Sequence, residues 1–291
     1  MELRASEPMA KHVTWRAGGR VAKACFPHDL EDLAHFLAGL RCDEPLLMVG
    51  LGSNLLIRDG GFDGTAIFTH GALKALRLTA DGSIYVEAGV AAPKLARFAA
   101  THGFAGAEFL AGIPGTIGGA LAMNAGCYGS EIWQFVDRVC MLNRKGETIE
   151  RTPADFALGY RHCGLKQASD EIFAAAWLRF PAGDAAVARA RIRELLARRV
   201  ATQPLQLPNA GSVFRNPPGD HAARLIEAAG LKGLELGGAR VSEKHANFIV
   251  NPGGVASASA IESLIGRIQA EVQEKFGVTL VREVRILGAR C

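Results

Sequence analysis

Between Gly103 and Gly126 the chain places glycine at 103, 106, 112, 115, 118, 119 and 126, with one proline, Pro114, and few charges. So dense a run of bare backbone predicts a wrapped loop over 103–129 rather than a regular element. Its centre reads Ala111-Gly112-Ile113-Pro114-Gly115-Thr116-Ile117-Gly118-Gly119-Ala120, followed by Asn124-Ala125-Gly126. Exposed N–H groups at this spacing approach an anion closely, as a pyrophosphate requires. The alternative is a tight crossing inside the core, because glycine also lets two backbones approach.

A second glycine loop, Val49-Gly50-Leu51-Gly52-Ser53-Asn54-Leu55, invites comparison with the dinucleotide fingerprint. It fails twice: Leu55 takes the third glycine position, and Leu55 to Gly61 reads as strand and turn instead of helix. There is no Walker lysine motif either. Two such loops on one chain favour the phosphate reading, with Ser53, Asn54 and Thr116 adding side-chain hydrogen bonds.

Strands are expected at Leu46 to Val49, Leu55 to Ile57, Thr65 to Phe68 and Ile84 to Ala88, before a helix from Pro93 to His102. Val136 to Leu142 and Glu147 to Glu150 read as a hairpin around Asn143-Arg144-Lys145-Gly146. Thr152-Pro153-Ala154-Asp155 signals a short helix ending near Gly159. Ile172 to Phe180 reads as a strand. Asp184 to Val200 is a basic amphipathic helix whose arginines at 189, 191, 193, 198 and 199 read as a solvated face. Further on come a helix from Asp220 to Ala229 and a strand from Ala246 to Val250. The next helix has Ser259 and Glu262 as a capping box and Gly277 as its left-handed stop. The last strand is Val278 to Leu287. Strands and helices mix without strict alternation, so the expected class is α+β.

The net charge of +4 suits an anionic ligand without requiring nucleic acid. Cysteines 25, 42, 127, 140, 163 and 291 form no CxxC pair, and the histidines form no HExxH helix, so neither a disulfide framework nor a metal site is expected. Apolar runs are too short for a membrane span, and the N-terminus has no apolar leader, so a cytoplasmic location without membrane insertion is expected.

Together the two loops resemble the FAD-binding domain of the vanillyl-alcohol-oxidase or p-cresol-methylhydroxylase type. Over nearly its whole length the chain resembles the UDP-N-acetylenolpyruvoylglucosamine reductase (MurB) family. The motifs that carry this are Thr14-Trp15-Arg16-Ala17-Gly18-Gly19, both glycine loops, Gly159-Tyr160-Arg161, Ala210-Gly211-Ser212-Val213-Phe214-Arg215-Asn216-Pro217, His245-Ala246-Asn247-Phe248-Ile249-Val250 and Glu283-Val284-Arg285. The short span from Arg161 to Ser212 resembles the branch without an inserted substrate-covering loop.

This resemblance implies a two-part FAD-binding domain, 1–68 and 69–198 with 278–291, and a C-terminal α+β substrate domain, 199–277. It implies non-covalent FAD and NADPH as hydride donor. The reaction it implies is reduction of an enolpyruvyl ether on UDP-N-acetylglucosamine to the lactyl ether. Arg161 would hold the substrate carboxylate, Ser212 would donate a proton, and Glu283 would polarise the enol or its carboxylate. Taken alone, Arg161 reads equally as a surface residue, Ser212 as part of a turn and Glu283 as half of a strand ion pair.

Cofactor contacts are expected at Gly50, Leu51, Gly52, Ser53, Asn54 and Leu55, at Ala111, Gly112, Pro114, Gly115 and Thr116, and at Gly118, Gly119, Asn124, Gly126 and Arg285. Substrate contacts are expected at Tyr160, Gln203, Asn209, Arg215 and Asn216. Two positions depart from the family pattern: Cys163 stands where serine is common and Arg215 where lysine is more usual. A monomer with small-molecule partners is expected. The competing readings are another FAD oxidase of this fold acting on an alcohol or sugar, and a non-catalytic nucleotide-binding module.

Overall fold

A computed structural model describes residues 1–290. Cys291, and with it the last residue of the expected 278–291 segment, lies outside the described residues. By compactness the chain forms two units, one of Met1–Arg4, Ala24–Leu51 and Thr65–Arg199, the other of Ala5–Lys23, Gly52–Gly64 and Val200 onward. The cut falls inside the glycine loop at 49–55, after Leu51.

The first unit is organised by a five-stranded antiparallel sheet in the order Thr148–Arg151, Val136–Leu142, Ile172–Leu178, Ile84–Glu87, Leu76–Leu78. The expected hairpin forms, with Leu142 opposite Thr148. Leu46–Val49 pairs in parallel with Phe62–Phe68. Helices α1 (Leu30–Ala38), α2 (Ala92–Thr101), α3 (Ile117–Met123) and α4 (Ala185–Thr202) complete the unit. Its largest core joins sheet residues Ile84, Val86, Val139 and Leu178 to Leu95 of α2 and Ile117 and Leu121 of α3.

Two expectations in this unit need correction. The glycine-rich stretch is not loop throughout, since it holds a 3₁₀ turn, Glu108–Gly112, and α3. Thr116 is the cause: it adopts extended backbone and its Oγ1 accepts from the Gly119 N–H at 3.5 Å, an N-cap strong enough to start a helix through two glycines. After Thr152 the capping signal is real, for Asp155 bonds back to the Thr152 N–H, but the helix lasts one 3₁₀ turn, Pro153–Asp155. Phe156–Gly159 then runs as a strand against His162–Leu165, because Phe156 is drawn into the core against Trp133.

The second unit packs α5 (Ala222–Ala228) and α6 (Ala258–Phe276) with a small antiparallel sheet, Glu235–Leu236, Ala239–Val241 and Ile249–Val250. Trp15 is fully buried here: its indole N–H donates to the Ile249 carbonyl at 2.7 Å, and its own carbonyl accepts from the Asn251 amide at 2.8 Å. Gly277 ends α6 in the left-handed conformation as expected. The cap at its other end is corrected to Ser257, whose Oγ accepts from the Ala260 N–H at 3.1 Å. Glu262 instead forms a two-point ion pair with Arg58, at 2.8 and 3.0 Å. The expected final strand shortens to Arg285–Leu287, which pairs in parallel with Leu55–Ile57. The expected strand from Ala246 shortens to Ile249–Val250, because Asn247 turns its side chain to a neighbouring segment.

Candidate functional site

The expected site residues divide between the two units. In the first, the two glycine loops meet directly. A Cβ on Gly50 would collide with the Thr116 side chain, and one on Gly112 would lie 2.8 Å from the Tyr128 ring and 2.9 Å from Cys127 Sγ. These glycines are therefore required by close approach of protein to protein. Gly119 differs: it is exposed, and only Thr116 Oγ1, at 3.7 Å, lies near its Cβ direction. Helix interiors favour alanine over glycine by about 0.5–1 kcal/mol, so a bare face kept at Gly119 is what the approach of a ligand would call for. The residues present fit a bound dinucleotide.

Not every N–H of the loop is available to an anion. Ile117 and Gly118 donate to the carbonyls of Val90 and Ala88, both at 2.8 Å. Thr116 itself is only 2% exposed.

Arg161 occupies the two-residue tip of the hairpin in which Gly159 faces His162. Its φ of 53° is left-handed, a conformation uncommon for a residue with a side chain. The guanidinium donates through Nη2 to the Gly126 carbonyl at 2.6 Å and sits 5.0 Å from the centre of the Tyr160 ring. Tyr160 is exposed. Asn124 is buried, and its amide donates to Gly159 O and to Glu131 Oε2. Cys163, the departure from the family pattern, is half-buried in the strand after Arg161, and burial pushes its thiol up to about 12. It packs against the core that includes Trp133 and Phe156. One arginine of α4 is corrected from the solvated face: Arg199 is partly buried near Tyr128 and Cys127, and burial lowers its pKa.

In the second unit the segments that carry Ser212 and Glu283 pair through their backbones. Glu283 N–H donates to Val213 O at 2.8 Å, Phe214 bridges Arg282, and Arg215 N–H reaches Val281 O at 2.9 Å. On its other side the same segment meets the glycine loop. Asn54 donates through its side chain to Glu283 O at 3.2 Å, and Arg285 N–H donates to Asn54 O at 3.1 Å. Leu55 is buried opposite Arg285, whose side chain is exposed.

Several expected substrate contacts spend part of their polarity locally. Asn209 bonds the carbonyls of Pro204 and Leu207 and the Gly211 N–H, shaping the turn before Ser212. Asn216 accepts from Ala222 N–H at the start of α5. Gln203 lies half-buried where α4 has just ended. Arg215 keeps Nε buried with no protein partner, as His245 does with Nδ1. Buried nitrogens left in that state are uncommon and suit a ligand oxygen.

Sequence reasoning gave Asn247 no role, yet its amide bonds both the N–H and the carbonyl of Phe214, at 3.0 and 2.8 Å. An asparagine set among Ala246, Phe248, Ile249 and Val250 was the available signal. Among the described residues no cluster of His, Cys, Asp and Glu is arranged to hold a metal.

Comparisons with known proteins give the family. Residues 21–152 match an FAD-binding domain model, and residues 203–287 match the C-terminal domain model of UDP-N-acetylenolpyruvoylglucosamine reductase. The reductase of Thiobacillus denitrificans is 54% identical over 98% of this chain and 92% of its own length. That of Legionella pneumophila is 54% identical over 97% and 91%. The crystal structure of the Thermus caldophilus enzyme superposes with a TM-score of 0.82 at 31% identity, covering 98% of both chains. With its two glycine loops, its hairpin arginine and its paired serine and glutamate segments, this chain belongs to the UDP-N-acetylenolpyruvoylglucosamine reductase family.

Proposed function

We infer that the chain is an FAD-dependent oxidoreductase that reduces UDP-N-acetylglucosamine enolpyruvate with NADPH, giving UDP-N-acetylmuramate for peptidoglycan synthesis. When bound, FAD supplies a hydride carrier between NADPH and the enol ether, so that one pocket serves both in turn. The backbones of Gly50, Leu51, Gly112, Gly115 and Gly119, with Ser53, Asn54, Leu55 and Arg285, would hold it without a covalent bond.

Hydride arrives at the terminal vinyl carbon, and negative charge grows toward the substrate carboxylate. Arg161 is the fixed cation for that charge: its planar fork matches a carboxylate, and a donor held in place by Gly126 does not need to reorganise. Ser212 then gives its proton to the second carbon, completing the lactyl ether. Glu283 holds the enol or carboxylate end in register with Ser212. The observation that carries this assignment is the 2.8 Å bond from Glu283 N–H to Val213 O, which ties the two segments together one residue from Ser212.

Arg215 and His245 supply donors for the UDP-sugar, with Gln203, Asn209 and Asn216 as further contacts, and we assign Tyr160, beside Arg161, to the substrate as well. We divide the chain by ligand into 1–68, 69–198 with 278–291, and 199–277. One chain carries both loops and all three catalytic residues, which is what a monomeric enzyme needs. We place it in the cytoplasm. Among the described residues no helix is long and apolar enough to cross a membrane. An oxidase acting on an alcohol or sugar is not favoured, because the C-terminal match is to the reductase.

The test is the visible spectrum of the purified protein, recorded anaerobically with NADPH and then with the enolpyruvyl substrate. A flavin band that bleaches with NADPH and returns only on adding that substrate is the expected result. A band that bleaches and is not restored overturns the assigned reaction.

A further inference from the structure

The hairpin that presents Arg161 is held by one side chain, Asn124, and the guanidinium by the Gly126 carbonyl. Asn124 closes α3 with φ 43°, and it is 3% exposed. Its Nδ2 donates to Gly159 O at 3.0 Å and to Glu131 Oε2 at 2.8 Å, while Oδ1 accepts from Trp133 N–H at 3.5 Å. Gly159 is the last residue of the strand before the tip, two positions ahead of Arg161. Glu131 pairs through its backbone with Gly126, whose carbonyl receives the Arg161 guanidinium. The chain thus closes a ring, from the Asn124 amide through Gly159 and Arg161 to Gly126 and back along the backbone.

We propose that Asn124 is a positioning residue for Arg161, holding the stem of its hairpin through Gly159 O, rather than a direct contact to the cofactor. Both protons of its amide are engaged by protein acceptors, which leaves it no donor for a flavin phosphate. Arg161 at φ 53° sits in a left-handed backbone well that is unfavourable for a residue with a Cβ. Such a conformation persists only where neighbours hold it. The Gly159 bond fixes the strand end, and the Gly126 bond fixes the guanidinium. Because Asn124 is also the C-cap of α3, the helix that leads out of the cofactor loop sets where Arg161 stands. This inference rests on the carboxylate-holding role proposed for Arg161.

The test uses holoenzyme carrying Asn124→Gly, which removes the amide and still accepts the left-handed backbone. A displacement of about 1 Å in a positioned group costs on the order of 100-fold. Asn124→Gly should therefore lower kcat/KM for the enolpyruvyl substrate by roughly that factor, with FAD retained and the rate of flavin reduction by NADPH within about threefold of wild type. In an Arg161→Ala background the same change should cost less than about threefold more, because residues acting through one another are not additive. The double substitution Asn124→Asp with Glu131→Gln reverses donor and acceptor between those two side chains without restoring the Gly159 bond. It should show the same loss as Asn124→Gly, and it replaces that variant if the glycine protein fails to fold.

Wild-type kcat/KM in Asn124→Gly or in the exchanged pair overturns the proposal. So does a loss that multiplies in the Arg161→Ala background, or a loss of FAD affinity that persists there, which would make Asn124 a flavin contact. Near-normal turnover in Arg161→Ala alone is a different failure: it removes the role of Arg161, and the positioning role goes with it.

Discussion

The amide N–H of Glu283 donates to the carbonyl of Val213 at 2.8 Å, next to Ser212, although the two lie far apart in the chain. That bond carries backbone only, so Glu283 can change chemistry without moving Ser212. Glu283→Gln should therefore keep the fold and the FAD while lowering kcat by roughly 10²-fold, the low end of what one positioned polar contact to the reacting group contributes. Unchanged kcat at saturating substrate would remove Glu283 from the reaction.

Asn247 stands in for a strand partner. It is 4% exposed, and its amide satisfies both backbone groups of Phe214. Replacing it with alanine strands a buried N–H and a buried carbonyl, each worth about 1–3 kcal/mol. Denaturant unfolding of Asn247→Ala should show a loss of about 2–4 kcal/mol. A loss below about 0.5 kcal/mol, the range of ordinary surface changes, would mean that water replaces the amide.

Burial holds the His245 imidazole below its ordinary 6.5; its own backbone and Glu227 oppose the shift, and Lys232 adds to it. A lowered native pKa means that the unfolded chain takes up the proton first as pH falls. His245 thus contributes stability above pH 6.5 that is lost as pH drops below 6.5 toward its native value. The urea midpoint should fall less between pH 7.5 and 5.5 in His245→Gln than in the wild type. Equal falls in both proteins would contradict a buried neutral histidine.

Burial also decides cysteine chemistry. Cys127 is pushed up to about 11 and Cys163 to about 12, while Cys42 is exposed. Because the thiolate is the reactive form, iodoacetamide at pH 8 should modify Cys42 at least about 100-fold faster than Cys127 or Cys163. Peptide mass spectrometry of the native protein reads this directly. Rapid labelling of Cys163 would show that the hairpin bearing Arg161 opens.

The glycine loops and the hairpin around Asn143 were legible because turn chemistry and alternation are local signals, whereas Arg161, Ser212 and Glu283 were reached only through resemblance to the reductase family. The sequence hid α3, since two glycines argue against a helix and only the Thr116 cap reverses the balance. It misread Phe156–Gly159, where packing of one phenylalanine against Trp133 outweighs a good helix start. It could not show that Asn124 and Asn247 are spent on backbone groups far away in sequence, because such bonds exist only once the chain has folded.

Ser212 is proposed to deliver the proton that completes the reduction. The measurement is a single turnover: reduced Ser212→Ala enzyme is mixed anaerobically with the enolpyruvyl substrate, and return of the flavin band and formation of the lactyl product are followed. Reduction by NADPH should be normal, and formation of the lactyl product should be slowed roughly 10²–10⁴-fold. Lactyl product formed at the wild-type rate would contradict this role.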